Sequence, residues 1–417
     1  MRPIALKRGC RTPFVKMGKE FASINAVTLS AALIDGMLKR QEVSEKFIQH
    51  VILGMVVPDP NIYSIAREAV LASQLDKSVE AYSVSRACAT SLQAAANAVS
   101  YYQSFPDEPS VTLVGGVESF SSTRPVLTDE ASTFFKVLSS RDSVGKKIGQ
   151  FFKTPLSKFF PVPPSAREYS TGLTMGEHCE LMVKEFKVTR ERQDRLALAS
   201  HRNAVRARET LLPHIIPIQG INRDTLVRED TSLEALAALS PVFDPEKGTI
   251  TAGNASPYTD GAAALYVISP ALEAQISPDA YLLDYEFVAV EPKEGLLMGP
   301  GKSLLRLLSR HRLAWRDFSY IELHEAFAGE VLCNIDAMND PSYRAKQYGV
   351  DYDPGRLDEK DLNPWGSSIA YGHPFGATGA RMLNQAMTFL KKENGKLALL
   401  GICTAGGLAG GCILKAV

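Results

Sequence analysis

The chain has 417 residues, 45% hydrophobic and 22% charged, which is ordinary for a soluble globular protein and allows two to three domains or two large halves. Its 46 basic and 46 acidic residues cancel, which excludes the net basic footprint of bulk nucleic-acid binding but not a local basic patch. Six scattered cysteines, Cys10, Cys88, Cys179, Cys333, Cys403 and Cys412, form no CxxC pair and suit free thiols in a reducing compartment.

In chain order, Ile4-Ala5-Leu6 opens a strand that Arg11-Thr12-Pro13-Phe14 breaks. Leu29, Leu33 and Met37 follow at helical spacing. Val51 to Val57 is a continuous apolar run ended by Pro58 and reads as a buried strand. A helix over 62–74, a strand over 79–84, a helix over 88–102 and a strand over 111–114 running into Gly115-Gly116 complete a first unit. Alternation of this kind predicts α/β layering with a mostly parallel sheet. It is lost between Ser119 and about Pro241, where one or two polar helices span 175–210, so this stretch reads as an insertion on the first half. Strands are again expected at 262–269, 281–290, 320–323, 397–402 and 412–417, with helices around Leu304–Leu308, after Ala328 and over 374–390. The expected organisation is an N-terminal half of residues 1–118 and 242–272, an inserted loop domain of 119–241, and a C-terminal half of 273–417.

The two halves echo each other. In one, Cys88 opens a small-residue helix and the next strand ends in glycines. In the other, His373 opens Pro374-Phe375-Gly376-Ala377-Thr378-Gly379-Ala380, and the next strand ends at Cys403 before Gly406-Gly407. An internal repeat is expected. Pseudo-symmetric packing would bring both junctions to one central site at the carboxyl ends of the strands. Cys88 at a helix start faces unpaired N–H groups that favour thiolate, the nucleophilic form; alternatively it is one more buried small hydrophobe. His324 and His373 can each supply a base or a cation beside it. Cys403, a thiol on the opposite side, can move protons at carbon. Cys10, Cys179, Cys333 and Cys412 read as packing residues, and His201 and His178 as surface or capping groups. Cys179 and His178 are adjacent on a predicted helix and point apart, so no metal site is expected there.

Val84-Ser85-Arg86-Ala87-Cys88-Ala89-Thr90-Ser91, His324-Glu325-Ala326-Phe327-Ala328, Ala370 to Arg381, and Cys403-Thr404-Ala405-Gly406-Gly407 resemble the four active-site blocks of thiolases. Arg11-Thr12-Pro13-Phe14, Met175-Gly176, Arg192-Gln193-Asp194, Ser200-His201 and Thr251-Ala252-Gly253-Asn254 with Asp260-Gly261-Ala262-Ala263 fit secondary blocks of that family. The resemblance spans essentially the whole chain. It implies two pseudo-symmetric α/β halves in an α-β-α-β-α layering with an inserted loop domain. It also implies cleavage of a 3-ketoacyl-CoA by coenzyme A, with Cys88, His373, Cys403 and His324 catalytic. Backbone N–H groups of Cys88 and Ala405 would form an oxyanion hole, and Met175, Ala255 and Ser256 would contact coenzyme A. No metal and no cofactor is expected, coenzyme A being a substrate. His324 before Glu325-Ala326-Phe327, with the stretch from Pro161 to Gly172, resembles the thiolase (β) subunits of multienzyme fatty-acid oxidation complexes. That likeness implies a homodimeric core joined to a hydratase/dehydrogenase (α) subunit in a heterotetramer. Thr404-Ala405 and Ser256-Pro257-Tyr258 depart from the usual family loops.

Residues 131–164 carry Lys136, Arg141, Lys146, Lys147, Lys153 and Lys158 among Phe134-Phe135, Phe151-Phe152 and Phe159-Phe160, closed by Pro161-Val162-Pro163-Pro164. Such a stretch can bind phosphates, line an acyl tunnel, or meet a membrane or partner subunit, and the last is favoured. The N-terminus has no apolar signal-peptide core and no run reaches the length of a membrane span. The expected location is therefore the cytoplasm, with peripheral contact at the inner membrane. Competing functions are a biosynthetic acetoacetyl-CoA thiolase, a ketoacyl-synthase-type condensing enzyme, against which Cys403 argues, and a silent CoA- or lipid-binding subunit.

Overall fold

The computed structural model describes residues 2–141, 143–162 and 167–417, with residue 151 described by its backbone alone. Asp142 and the Pro163-Pro164 pair of the proline-rich stretch lie outside the described residues.

Among the described residues ten strands join one sheet. The first half supplies β1 (Ile4–Arg11), β2 (Val15–Lys16), β3 (Ile48–Gly54), β4 (Glu80–Val84), β5 (Val111–Glu118) and β6 (Thr259–Ile268). The second supplies β7 (Ala280–Ala289), β8 (Tyr320–Leu323), β9 (Leu397–Cys403) and β10 (Leu408–Ala416). The order is β4-β3-β5-β6-β1-β7-β10-β9-β8, with β2 beside β6. The sheet is mixed, not mostly parallel as the alternation suggests. Among the described residues only β3–β4, β3–β5 and β8–β9 are parallel, and β2–β6, β5–β6, β1–β6, β1–β7, β7–β10 and β9–β10 are antiparallel. Each half ends in an antiparallel return strand, β6 or β10, which a reading of helix-strand alternation does not distinguish from a crossover.

The halves repeat. The pairing series β3‖β5, then β6, then β1 in the first half recurs as β8‖β9, then β10, then β7 in the second. The outer helices of the first half are α1 (Ala26–Arg40) and α2 (Ile65–Ala72), whose apolar faces cover one side of its strands. The outer helices of the second half are α9 (Gly299–His311) and α10 (Ala328–Asn339). Between the halves lie α3 (Thr90–Ser104) and, at the end of the chain, α13 (Thr378–Lys392), which pack on each other and on strands of both halves. Small residues permit this: Ala94, Ala95 and Ala98 are fully buried, and a Cβ on Gly379 would come within 2.7 Å of the Leu92 nitrogen. Across the two halves the layers run outer helices, first-half strands, central helices, second-half strands, outer helices, with the strands of both halves continuous in the one sheet.

The intervening stretch is largely helical. α4 (Asp129–Ser139) and α5 (Val144–Lys153) form a hairpin, followed by α6 (Met175–Glu185), α7 (Arg190–Leu211) and α8 (Leu233–Ala237). A Thr174–Glu177 capping box starts α6. α6 and α7 rest on α10, and α7 also meets α12 (Ser368–Tyr371), which follows the short α11 (Pro341–Tyr343). The insertion packs on both halves: Cys179, Met182 and Val183 join the cluster around α10, while Ile216 and Ile218 join the cluster of the first half and the Ile216 N–H donates to the Arg11 carbonyl at 2.8 Å.

Several boundaries move. β3 ends at Gly54, short of Pro58, and Gly115 and Gly116 lie inside β5. The helices after Cys88 and His373 begin two and five residues later, at Thr90 and Thr378. β10 starts at Leu408, well before Cys412. Among the described residues no helix is long and apolar enough to cross a membrane.

Candidate active site

The structure brings Cys88, His324, His373 and Cys403 to one place at the strand ends. β4 leads into a tight turn where Ala87 takes a left-handed conformation, φ +42°. Thr90 holds that turn: its Oγ1 accepts from the Arg86 N–H at 2.8 Å and donates to the Ala87 carbonyl at 2.7 Å. The strained residue turns Cys88 toward the second half.

His373 Nε2 lies 3.1 Å from Cys88 Sγ. Its other nitrogen, Nδ1, is 2.7 Å from Thr378 Oγ1. The Thr378 hydroxyl donates its own proton to the Pro374 carbonyl at 3.2 Å, so it accepts from Nδ1–H. The Nδ1 tautomer is thereby selected, and Nε2 presents a lone pair to the thiol. The Thr259 hydroxyl accepts from the His373 backbone N–H at 3.0 Å.

His324 stacks beside His373 with ring centroids 4.1 Å apart. Its Nδ1 is 2.8 Å from Ser368 Oγ, which accepts from Arg381 at 3.0 Å. The Ser368 proton is then free to go to Nδ1, which places a hydrogen on Nε2. That Nε2 is buried with no partner among the described residues, a donor aimed into the site. Arg381 is itself buried and forms an ion pair with Glu322, which also accepts from Ser367 Oγ (2.7 Å) and Tyr320 OH (2.6 Å).

Cys403 ends β9, buried against Glu330 and Cys179. The N–H groups of Ala405 and of Cys88 itself both point at the Cys88 sulfur, so two backbone donors converge where an acyl oxygen on that sulfur would sit. Gly406 and Gly407 have φ of +74° and +70°, which lets the chain reverse between β9 and β10 and aim the Ala405 N–H inward. The Gly406 N–H is in turn held by Glu168 Oε1 of the inserted segment at 3.1 Å.

Electrostatics differ from the expectation of a thiolate at a helix start. Burial pushes the Cys88 thiol up to about 12, and burial, with Arg381, pushes His373 down to about 3. His324 is lowered well below the usual range by burial, His373 and Arg381. Burial thus favours a neutral thiol hydrogen-bonded to a neutral imidazole. Desolvation outweighs the helix N-terminus here because the sulfur is enclosed.

Ala255 and Ser256 are tied to the turn after His324: Ser256 N–H donates to the Ala326 carbonyl at 2.9 Å, and Ala255 bridges Phe327. Met175 opens α6, half-buried against the cluster that holds Cys403 and Phe327. Cys10, Cys179, Cys333 and Cys412 are buried packing thiols. His201 is buried rather than at the surface; it caps the Arg228 N–H at 3.2 Å. His178 bonds Thr171 Oγ1 at 2.8 Å.

Sequence reasoning missed Thr378, Ser368, Arg381, Glu330 and Glu118. Glu118 ends β5, buried, and accepts from the N–H groups of Val56 (3.2 Å), Val57 (2.9 Å) and Gly376 (3.1 Å). Burial raises it to about 7. Its place at the end of a strand that aligns with β9 was the available signal.

Cys88 Sγ and one nitrogen each of His324 and His373 lie within 4.8 Å of one another. A thiol and two imidazoles are a zinc-type donor set. Both histidines, however, are backed by hydroxyls, whereas metal-bound imidazoles are ordinarily backed by carboxylates, carbonyls or water.

Residues 4–271 match the family described as thiolase, N-terminal domain, and residues 276–416 match thiolase, C-terminal domain. The chain belongs to the thiolase family. A protein of Alteromonas mediterranea named 3-ketoacyl-CoA thiolase is 37% identical over 99% of this chain and 96% of its own length. An Escherichia coli protein of the same name is 37% identical over 99% and 97%. Among solved structures, an acetyl-CoA acetyltransferase of Bacillus anthracis has a TM-score of 0.83 and 26% identity, covering 100% of this chain and 99% of that one. Human mitochondrial 3-ketoacyl-CoA thiolase shares the fold, with a TM-score of 0.83 at 24% identity and the same coverage.

Proposed function

We propose that this thiolase cleaves 3-ketoacyl-CoA with coenzyme A, giving acetyl-CoA and an acyl-CoA shortened by two carbons. The observation that carries this reading is the Cys88–His373 contact at 3.1 Å, with the tautomer set by Thr378, facing the Cys403 thiol. Cys88 attacks the 3-keto carbon as its proton passes to His373 Nε2. The N–H groups of Cys88 and Ala405 hold the oxyanion; one such donor typically carries ~10²–10³ in kcat. The C2–C3 bond breaks, and the thioester oxygen of the leaving enolate rests on His324 and His373. Cys403 protonates the enolate carbon. Coenzyme A then gives its thiol proton to Cys403 and attacks acyl-Cys88, whose sulfur leaves with the proton held on His373. All protons return to their starting places, and the scheme is ping-pong.

The assay is the loss of the Mg²⁺–3-ketoacyl-CoA absorbance on adding coenzyme A. Cys88→Ala is expected to form no labelled acyl-enzyme; covalent label on that variant would sink the assignment. A biosynthetic acetoacetyl-CoA activity is separated by a chain-length series. We place the reaction in fatty-acid β-oxidation in the cytoplasm, a reading supported by His324 ahead of Glu325-Ala326-Phe327.

Two surfaces support an assembly. β4 is a sheet edge with Glu80, Tyr82 and Ser83 exposed, and such edges call for cover; a second copy of the chain pairing there makes the homodimer, and light scattering reads it. The α4–α5 hairpin and the turn after it expose Leu138, Ile148, Phe152 (82%), Leu156 and Phe160 beside Lys136, Lys146, Lys147, Lys153 and Lys158. That apolar-basic face suits peripheral contact with an anionic bilayer or with a hydratase/dehydrogenase subunit. In liposome flotation, Phe152→Ser with Phe160→Ser should release the protein; unchanged flotation removes the membrane reading.

A further inference from the structure

The reaction scheme leaves one fully buried acid beside the reacting atoms without a part. Glu330 sits in the first turn of α10 and is 0% exposed. Its Oε1 accepts from Asn334 Nδ2 at 3.3 Å, and its Oε2 has no hydrogen-bond partner among the described residues. Asn334 is fixed in turn, donating to the Leu297 and Glu330 carbonyls and accepting from the Gly301 N–H at 2.9 Å. The Cys403 thiol lies beside the Glu330 carboxyl.

An ionised carboxylate with a bare oxygen and no cation is costly in such a place. The groups facing the pair are Cys88 and Cys179 on the Cys403 side, Glu325 on the Glu330 side, and Cys333 and Tyr348 around them. None of these is a cation: burial above all pushes the Glu330 acid well above the usual carboxyl range, and Glu325 adds to it, while the Cys403 thiol beside it acts the other way. A protonated carboxyl is a donor, and the atom against it is the Cys403 sulfur. Its place in the first turn of α10 eases the negative charge when the proton leaves, so both protonation states are within reach.

We propose that Glu330 is the proton reservoir of Cys403: carboxyl and thiol form one proton-sharing pair, sulfur toward the substrate and carboxyl behind it. This rests on the thiolase reading above. In cleavage, the Cys403 S–H proton goes to the enolate carbon and the Glu330 O–H proton passes to the sulfur, leaving a carboxylate. In acyl transfer, the coenzyme A thiol proton goes to Cys403 as the sulfur hands its proton back to Glu330. No bond to sulfur other than S–H changes, and no redox partner is involved. Glu330 acts through Cys403 and is a positioning residue.

The test is Glu330→Gln, which keeps shape and an acceptor for Asn334. Two half-reactions separate its role. Acylation of Cys88 by a p-nitrophenyl ester, whose phenolate leaves without taking a proton, needs Cys88 and His373 but not Cys403 and should be unchanged. Exchange of the acetyl-CoA methyl protons with deuterated solvent, followed by NMR, reads Cys403 and should fall by about 10²-fold. In a Cys88→Ser background, the pH midpoint of Cys403 alkylation should drop when the acid is removed. If Glu330→Gln does not fold, Glu330→Asp, which withdraws the carboxyl from the sulfur, is read in the same way. Exchange at the wild-type rate with an unmoved alkylation midpoint overturns the proposal. So does an equal fall in both half-reactions, which marks a merely structural residue. A wild-type protein that neither acylates nor exchanges overturns the thiolase reading instead.

Discussion

The tautomer of His373 is the most exposed joint of the mechanism, and Thr378→Val tests it. Valine keeps the shape of threonine but removes the acceptor 2.7 Å from Nδ1. His373 is 3% exposed, so no bulk water replaces that acceptor. A buried N–H left without a partner costs about 1–3 kcal/mol. The ring avoids the cost by moving its proton to Nε2, which then faces Cys88 as a donor and cannot take the thiol proton. At about 1.4 kcal/mol per tenfold, Cys88 acylation should slow by roughly 5- to 150-fold. Rapid-quench measurement of labelled acyl-enzyme in a single turnover reads this step alone. Thr378→Ser restores the hydroxyl and should restore the rate. A folded Thr378→Val protein that acylates at the wild-type rate would refute the tautomer argument.

His324→Ala removes the unpartnered Nε2 donor and should lower kcat by ~10²–10³ while leaving acyl-CoA binding intact; steady-state kinetics separate the two. Arg381→Met strands Glu322 in the core and should cost about 3–5 kcal/mol in a denaturant titration, with Glu322→Gln on the same chain recovering part of it. Glu118 carries a pH signature. Its acid is raised to about 7 by burial, above the ordinary value of about 4.3 in an unfolded chain. Between those values the folded state holds a proton that the unfolded state has lost, so stability falls as pH rises through this window. The total is about 3–4 kcal/mol. Glu118→Gln lacks this fall, so its stability relative to wild type should improve by that amount from pH 4 to pH 8, whatever fixed cost its altered hydrogen bonds impose. Parallel curves for the two proteins would show that Glu118 does not titrate there.

The reactive groups were legible because chemistry is written in residue type. A cysteine, two histidines and a second cysteine, each at a strand-helix or strand-turn junction, point to one site even before any packing is known. The repeat was legible because His373 and Cys403 echo Cys88 and Gly115 in order. The supporting groups were not. Ser368 and Thr378 look like ordinary helix-start hydroxyls until Arg381 and Pro374 show which way their protons point. The electrostatic setting of Cys88 was half legible for a related reason: a helix N-terminus is visible in a sequence, but the burial that opposes it comes from segments hundreds of residues away. Return strands were hidden too, since β6 and β10 have the same apolar character as the parallel strands they close.

The pseudo-symmetry also explains why one half carries the tie and the other the chemistry. β5 and β9 occupy equivalent places, so Glu118 and Cys403 end equivalent strands. Glu118 holds N–H groups from both halves, Val56 and Val57 after β3 and Gly376 in the His373 turn. The backbones come so close here that a Cβ on Gly116 would sit 2.0 Å from the Gly376 carbonyl oxygen. The first half's strand end is therefore committed to registering the second half's histidine turn against Cys88. The same position in the second half has no cross-half turn to hold, and it is free to carry a thiol at the substrate. Exchanging the two residues would put a carboxylate among buried acids, where Glu330 already stands, and leave three backbone N–H groups without an acceptor. Two copies of one unit thus form a single site only because their equivalent positions have taken unequal tasks.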